Sequence, residues 1–481
     1  MSFSYSLKVS QFPIVLSTAQ ALGARWRQRI DAFTVAISPA CARVPHIIFG
    51  AASRQVTSEP LIHVKATLTS LLSNGPISAG DCTMFRISQY MQELLAPTLP
   101  GPKRNPPAPV VIWNLIRRCN LTCKHCYSIS TDKDFPGELT TDEVFAVMDD
   151  LQRFRVPVLI LSGGEPLLRP DIFSIARRAK SIGFYVGLSS NGTLIDASNI
   201  ARIADCDFDY VGVSLDGIGG THDRFRQMAG AFDASLRGIR LCRDLGMKIG
   251  VRFTMTQDNA RDLPRLLELV EDEGIDRFYF SHLNYAGRGN KNRQDDAQHR
   301  LTRWAMDLLF ATCWEYQQRG LHKEFTSGNN DADGVYFLHW VQRRFPDKAA
   351  NIRARLVQWG GNSSGVNVAN IDNLGNVHPD TMWWHYTLGN VRQRPFSEIW
   401  MDRSDPLLVG LKRSPRTVSG RCGECQHFDI CNGNTRVRAQ QLTGDAWAED
   451  PGCYLDDEEI GVAPGRERLT VTPHIRIRRT S

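Results

Sequence analysis

The sequence predicts an α/β protein, a partial (β/α)6 barrel followed by a small C-terminal domain organised by metal. Three observations predict it. Six short apolar runs between Val110 and Ser281 alternate with helical patterns, and helical crossovers are how parallel strands connect. Six units fall short of the eight that close a full barrel, so the sheet should stay open. Seven of the 12 cysteines fall in two groups, Cys119, Cys123 and Cys126, then Cys422, Cys425 and Cys431 with Cys453 behind them.

The elements follow in order. Residues 1–83 show neither strand nor helix periodicity and are rich in Ser, Ala and Thr; their arginines would suit a targeting peptide. The plainer expectation is an over-extended start with Met84 the true first residue, because organised sequence begins there. Residues 84–109 read as a short helix, Ile87–Leu95, and a connector with six prolines. The core spans 110–284, with strands expected at Val110–Leu115, Val158–Leu161, Tyr185–Ser189, Tyr210–Leu215, Lys248–Phe253 and Arg277–Ser281. Thr140 to Glu143 is a capping box opening the helix Val144–Phe154. Pro170 suits the first turn of Asp171–Ser181, and Gly183 its end. Ala231–Leu245 and Leu263–Glu273 stop at Gly246 and Gly274. Beyond Asn284 the alternation is expected to stop. Residues 285–364 read as a helical bridge, with a polar loop Gly287 to Asp296 and a helix Leu301–Gln318. Residues 365–460 are Gly- and Asn-rich, short-stranded at best, and hold the second cysteine group; 461–481 is a basic tail.

The net charge of +6 belongs to the ends. Residues 1–83 and 461–481 each carry +4, which leaves −2 for the body and argues against a nucleic-acid footprint there. No run of about 18 apolar residues occurs, so no spanning helix is expected. Clustered cysteines without a secretory signal favour metal ligation over disulfides and a cytoplasmic setting. Cys206, Cys242 and Cys313 stand apart and read as small buried hydrophobes.

The strongest motif is CNLTCKHC, Cys119 to Cys126, placed after the first strand. Three thiolates in eight residues can wrap a [4Fe–4S] cluster that wants four ligands, which leaves one iron open. The alternative is a zinc site of three cysteines and one histidine, using His125. The second motif, Leu161 to Pro166 (LSGGEP), follows the next strand; Gly163 and Gly164 permit close backbone approach or positive φ, and Glu165 could receive an ammonium group. Alone it would be a turn. In the second cysteine group, Cys422-x2-Cys425-x5-Cys431 with Cys453 suits one further cluster, or a four-cysteine zinc site.

Together these residues resemble the radical S-adenosylmethionine (SAM) superfamily, whose hallmark is CxxxCxxC followed by GGEP on the next strand. The resemblance implies that the amino and carboxylate groups of SAM chelate the open iron. Reduction then yields a 5′-deoxyadenosyl radical that abstracts a substrate hydrogen. It also implies SAM contacts at Gly163, Gly164 and Glu165 for the methionyl end, at Ser190, Asn191 and Gly192 for the ribose, and at Ser214 and Arg226 for the carboxylate, with Arg252 a further candidate. The second group resembles the SPASM domain, which holds two auxiliary clusters on seven cysteines. Here Asp380 and Thr435 stand where two of those cysteines would be, so one auxiliary [4Fe–4S] cluster on Cys422, Cys425, Cys431 and Cys453 is expected.

Within the superfamily, Met84 to about Asp456 is most similar to the radical SAM proteins of haem d1 biosynthesis, through FRISQYMQELL, VIWNLIRRCNLTCKHCYSIS, PGELTTDEVFAVMDDL, VLILSGGEPLLRPDIF, GLSSNGTLID, YVGVSLDGI and NVHPDTMWWHYTLGNV. That resemblance implies a cytoplasmic enzyme removing propionate side chains from a didecarboxylated sirohaem intermediate, served by a ferredoxin or flavodoxin. Trp383, Trp384, His385 and Tyr386 could stack on such a tetrapyrrole, and His378 or His385 could ligate its iron; otherwise they pack their own domain. Arg288 and Lys291 could pair with substrate carboxylates, although a solvated loop is the simpler reading. Without a CxxCH motif, any tetrapyrrole would be a bound substrate. The rivals are a ribosomal-peptide maturase, a haem-propionate oxidative decarboxylase, and a non-catalytic iron–sulfur carrier, which would have no use for an open iron.

Overall fold

In the computed structural model the described residues are 84–96, 108–297, 299–465, 469 and 471. The expectations for residues 1–83, for the connector over 97–107 and for most of the tail 461–481 lie outside the described residues.

All six expected strands form: Val110–Asn114 (β1), Val158–Ser162 (β2), Tyr185–Ser190 (β3), Tyr210–Ser214 (β4), Ile249–Met255 (β5) and Arg277–His282 (β6). They are parallel and adjacent in chain order. The alternation does not stop at Asn284, however. After the helix His299–Gln318, Glu324–Gly328 (β7) pairs parallel with β6, and Val368–Ile371 (β8) pairs parallel with β1. Asn376–His378 (β9) and Gly389–Asn390 (β10) then extend the sheet antiparallel. Strand β7, EFTSG, carries one core residue, Phe325, so no apolar run betrays it; backbone pairing to β6 defines it. The order β10-β9-β8-β1-β2-β3-β4-β5-β6-β7 leaves β10 and β7 at the edges of an open sheet. The edge at β7 is covered by the segment ahead of β1, where Ser327 N–H donates to Phe85 O and Phe325 N–H to Ser88 Oγ.

Local chemistry explains the helices. Thr140 and Glu143 exchange reciprocal hydrogen bonds at the start of Thr141–Arg153. Ala231–Asp244 and Leu263–Asp272 run into Gly246 and Gly274 at φ 72° and 64°, a left-handed exit that a side chain would oppose.

Strand alternation sorts the two faces. Val111, Trp113, Leu159, Leu161, Val213, Val251, Phe253, Phe278 and Phe280 are fully buried in the main core, which the helices complete. The residues between them, Ser162, Ser189, Ser214, Arg252, Thr254 and Tyr279, line a cavity instead. A polar inner face is not the packed interior of a closed barrel; it is a place to put a ligand.

Residues 365–460 carry short helices as well as strands, including Gly420–Glu424, Phe428–Cys431, Arg436–Thr443 and Asp457–Ile460. The segment Gly287 to Asp296 is not an open loop but a helix, Gly287–Lys291, and a 3-10 turn, Arg293–Asp295. Cys206, Cys242 and Cys313 are buried in the core. Among the described residues no helix is long and apolar enough to cross a membrane.

Candidate active site

The cysteine loop leaves β1 and is pinned from below by the turn after β2. Gly164 N–H donates to Ile116 O at 2.7 Å, and Glu165 N–H to Arg118 O at 2.9 Å. A Cβ on Gly163 would lie 2.4 Å from Ile116 O, and one on Gly164 2.3 Å from Arg118 O. Neither glycine has a positive φ. Their function in the fold is therefore close approach to the cysteine loop's own backbone, a reason distinct from approach to a ligand. Arg169 braces the loop's root through Leu115 O at 2.6 Å.

Cys119, Cys123 and Cys126 open onto one cavity with Gly163, Gly164, Ser190, Asn191, Ser214, Arg226 and Arg252. The space measures about 1080 Å³ including its open mouth. The sulfurs meet donors already in place. Leu121 N–H lies 3.4 Å from Cys119 Sγ, Arg226 Nη1 3.4 Å from Cys123 Sγ, and Ser128 Oγ 3.3 Å from Cys126 Sγ. Burial pushes the Cys123 thiol up while Arg226 draws it back.

Arg226 ends the helix Gly220–Arg226 and pairs its other amino group with Asp216 Oδ2. Asp216 is completely buried; burial opposes its charge, yet Arg226 and the Thr254 N–H hold its carboxyl below the usual range. Glu165 does not line the cavity. Its carboxylate sits behind, accepting from Ser190 Oγ, Asn191 N–H and Leu167 N–H, and burial pushes it up to about 7 against those donors. It ties the GGE turn to the end of β3. His125 packs on Phe225 with its Nε2 3.9 Å from Asp216, and burial lowers it to about 4, so the ring is neutral.

Four buried nitrogens around this cavity have no protein partner: Arg226 Nε, Arg252 Nε, Arg288 Nη2 and His125 Nδ1. Buried donors are ordinarily satisfied. Three arginines with spare donors, beside three thiols, fit an iron–sulfur cluster and an acceptor-rich anionic ligand such as the carboxylate of SAM.

Sequence reasoning missed several lining residues. Tyr127, Ser128 and Ser130 continue the cysteine loop; Thr254 and Tyr279 lie on β5 and β6; Thr381 arrives from the C-terminal region. Asp216, inside the quoted SLDG, carried a signal: an acid placed just past a strand end. The solvated reading of Arg288 does not hold. Its Nε donates to Cys123 O at 2.7 Å, its Nη1 to Ser130 O at 2.9 Å and its backbone N–H to Cys126 O. Helix formation by Gly287–Lys291 turns the side chain back onto the cysteine loop.

Cys422, Cys425, Cys431 and Cys453 line a second, smaller cavity with Ala332, Val335, Leu455 and Ile460. Asp450 N–H lies 3.4 Å from Cys422 Sγ and His427 N–H 3.4 Å from Cys425 Sγ. The two non-cysteine positions are internally satisfied. Asp380 accepts from Met382 N–H and from Ser364 Oγ, and Thr435 donates to Asn329 O. Among the described residues no three His, Cys, Asp or Glu side chains converge as a single metal ion requires.

The aromatic candidates divide. Trp383 is wholly buried among Leu407, Leu411 and Val437, and Tyr386 donates to Asp405; both pack their own domain. His378 is buried with its Nδ1 against Tyr386 O, which removes it from any substrate's reach. His385 is exposed and held by Gln440. Only Trp384 approaches the cavity, 5.9 Å from the ring of Tyr127.

Comparison with known proteins accords with this geometry. The radical SAM superfamily model matches residues 113–270. The pre-heme d1 synthase of Dinoroseobacter shibae is 56% identical over 394 residues, 82% of this chain and 97% of that protein. The Fe-coproporphyrin III synthase of Methanosarcina barkeri is 46% identical over 73% of this chain and 89% of its own length. Among solved structures, Streptococcus suis SuiB bound to S-adenosylmethionine superposes with a TM-score of 0.57 over 72% of this chain and 78% of that one, at 17% identity, a likeness of fold.

Proposed function

The chain belongs to the radical SAM superfamily, and from that premise we propose that it processes the carboxylate side chains of a tetrapyrrole, removing propionates from a didecarboxylated sirohaem on the way to haem d1. The observation that carries this reading is the 56% identity to a pre-heme d1 synthase over nearly that protein's whole length. The 46% relative is also named for a tetrapyrrole product.

Cys119, Cys123 and Cys126 would hold a [4Fe–4S] cluster with one iron left to SAM, and Cys422, Cys425, Cys431 and Cys453 an auxiliary [4Fe–4S] cluster. When bound and reduced, the first cluster and SAM supply a 5′-deoxyadenosyl radical that abstracts a hydrogen atom. The protein's part is placement. Arg226, donating to Cys123 Sγ, offsets negative charge at the sulfur, which favours taking up an electron; Asp216 fixes its orientation. Ser190 and Asn191 at the end of β3, Ser214 at the end of β4 and Arg252 beside it on β5 line the cavity together and would contact an extended ligand lying across the strands. A planar macrocycle would approach through the cavity's open mouth. A one-electron donor of ferredoxin or flavodoxin type is required.

The test is anaerobic turnover of iron-replete protein with didecarboxylated sirohaem, SAM and a reductant, followed by mass spectrometry. The expected products are 5′-deoxyadenosine and a tetrapyrrole lacking propionate side chains. A product in which each propionate has lost only its carboxyl carbon as carbon dioxide, leaving a vinyl group, would identify oxidative decarboxylation instead. No substrate-dependent 5′-deoxyadenosine would sink the tetrapyrrole reading.

A further inference from the structure

Three arginines face the cavity, and they are not equivalent. Arg226 is neutralised by Asp216 and engaged by Cys123. Arg252 lies on β5 in register with Ser214 and donates to Ser189 Oγ, among the strand ends. Arg288 comes from beyond β6, at the lip. Its Nε and Nη1 are spent on Cys123 O and Ser130 O, and its backbone N–H on Cys126 O. Those bonds fix the plane of the guanidinium without touching its charge. Among the described residues no carboxylate pairs with it. Arg288 lines the cavity, and its Nη2 is buried and without a hydrogen-bond partner.

A half-buried guanidinium tethered by neutral carbonyls, with one donor kept unpaired, is costly unless an anion completes it. The anchorage is independently reinforced. Asn292 Nδ2 donates to Lys124 O, Asn290 Nδ2 to Gln441 Oε1, and a Cβ on Gly287 would lie 2.2 Å from Tyr127 O. The helix Gly287–Lys291 is thus clamped between the cysteine loop and the helix Arg436–Thr443.

We propose that Arg288 is the substrate's carboxylate anchor: its free Nη2 receives the side-chain carboxylate of the molecule being attacked. This rests on the function proposed above and adds which residue holds the reacting arm. The rigid tie of Arg288 to the loop carrying Cys123 and Cys126 matters to the chemistry. It makes the distance between a bound carboxylate and the cluster a property of one loop, so the carbon adjoining that carboxylate is offered at a fixed depth. The macrocycle itself remains outside, towards Trp384.

The experiment is a two-by-two comparison on anaerobically reconstituted full-length protein with SAM present. Wild type and Arg288→Gln are each titrated with didecarboxylated sirohaem and with its propionate methyl ester, read by the tetrapyrrole absorbance. Wild type should bind the acid on the order of 10- to 100-fold more tightly than the ester, the scale of a charge-assisted hydrogen bond. Arg288→Gln should lose most of that preference, binding acid and ester alike. Because glutamine also weakens the loop bonds, iron content and SAM affinity are measured on the same samples, and the acid-to-ester ratio is the readout, which general damage does not change. If the variant keeps the wild-type ratio, Arg288 only braces the loop and the proposal falls. If SAM affinity drops while the ratio stays, the spare donor serves the carboxylate of SAM and the proposal again falls. Wild type binding acid and ester equally would overturn the anchor while leaving the tetrapyrrole assignment standing; wild type binding neither would overturn both.

Discussion

The two cysteine sites present the same side chain and are built on opposite rules. The site over β1 to β6 has three cysteines, an open mouth and four buried nitrogens without protein partners. The site in residues 422–453 has four cysteines in a small cavity walled by Ala332, Val335, Leu455 and Ile460. Polar side chains lining it are partnered: Arg421 by Asp457, Asn434 by Asn330, Asp450 by Arg438. Metal sites that stabilise structure are closed and coordinatively complete, whereas sites that react keep a position open. What would mark the first as the reactive one is therefore its unmet hydrogen-bonding capacity, not its cysteine count alone.

The sharpest way to break that contrast is to remove one cysteine from each. Cys126→Ala should abolish 5′-deoxyadenosine formation to background. Iron should fall from about eight to about four atoms per chain by the stoichiometry of two four-iron clusters. Cys453→Ala should also leave about four, but should keep substrate-independent SAM cleavage and instead lower the thermal midpoint. Metal analysis and 5′-deoxyadenosine quantification on both variants check this. If wild type holds only four irons with one zinc, and the zinc is lost from Cys453→Ala, the second site is a structural zinc centre. If Cys453→Ala loses SAM cleavage, the two sites are not functionally separate.

An intermediate effect tests why the GGE turn carries glycines. Gly164→Ala drives a methyl group towards Arg118 O, so the turn and the cysteine loop must separate. The cost should be about 1–3 kcal/mol in denaturant unfolding of the protein without SAM. Were the glycine kept only for approach to SAM, stability without SAM would be unchanged and SAM affinity alone would fall.

How far the sequence foretold these two sites follows from the range of the interactions. The two cysteine groups, each lining one cavity, were legible because cysteine spacing is local, and β1 to β6 were legible because each is an apolar run ended by a turn. Strand β7 was not, since only Phe325 of its five residues enters the core. Nor was β8, whose partner β1 lies more than 250 positions earlier in the chain. Separation along the chain also hid what Arg288 touches. In sequence it is a cation in a polar stretch; only the turn after β6 sets it against Cys123, 165 residues away. Conversely, Trp383 and His378 looked available in sequence because aromatic residues suit both stacking and packing, and burial decided for packing.

The smallest expected effect concerns how the two regions are joined. Arg392, in the stretch after β10, reaches the helix that follows β1. It pairs with both oxygens of Glu143 and donates to Gly137 O and Glu138 O. Glu143 also closes the capping box on Thr140 N–H. Arg392 first, then the Thr140 N–H, hold its carboxyl down at about 2. A folded-state value below the unfolded one, about 4.3, means that the unfolded chain takes up the proton first. The stabilisation is therefore complete above about pH 4.5 and drains away as pH falls towards about 2. The pair is solvent-exposed, which screens it, so Glu143→Gln should cost no more than about 1 kcal/mol near neutrality. That cost should shrink progressively between about pH 5 and pH 3 in urea unfolding followed by circular dichroism. A gap between wild type and variant that stays constant across that interval would mean that the carboxylate acts through the cap's geometry alone, and that Arg392 does not tie the cysteine-rich region to the sheet by charge.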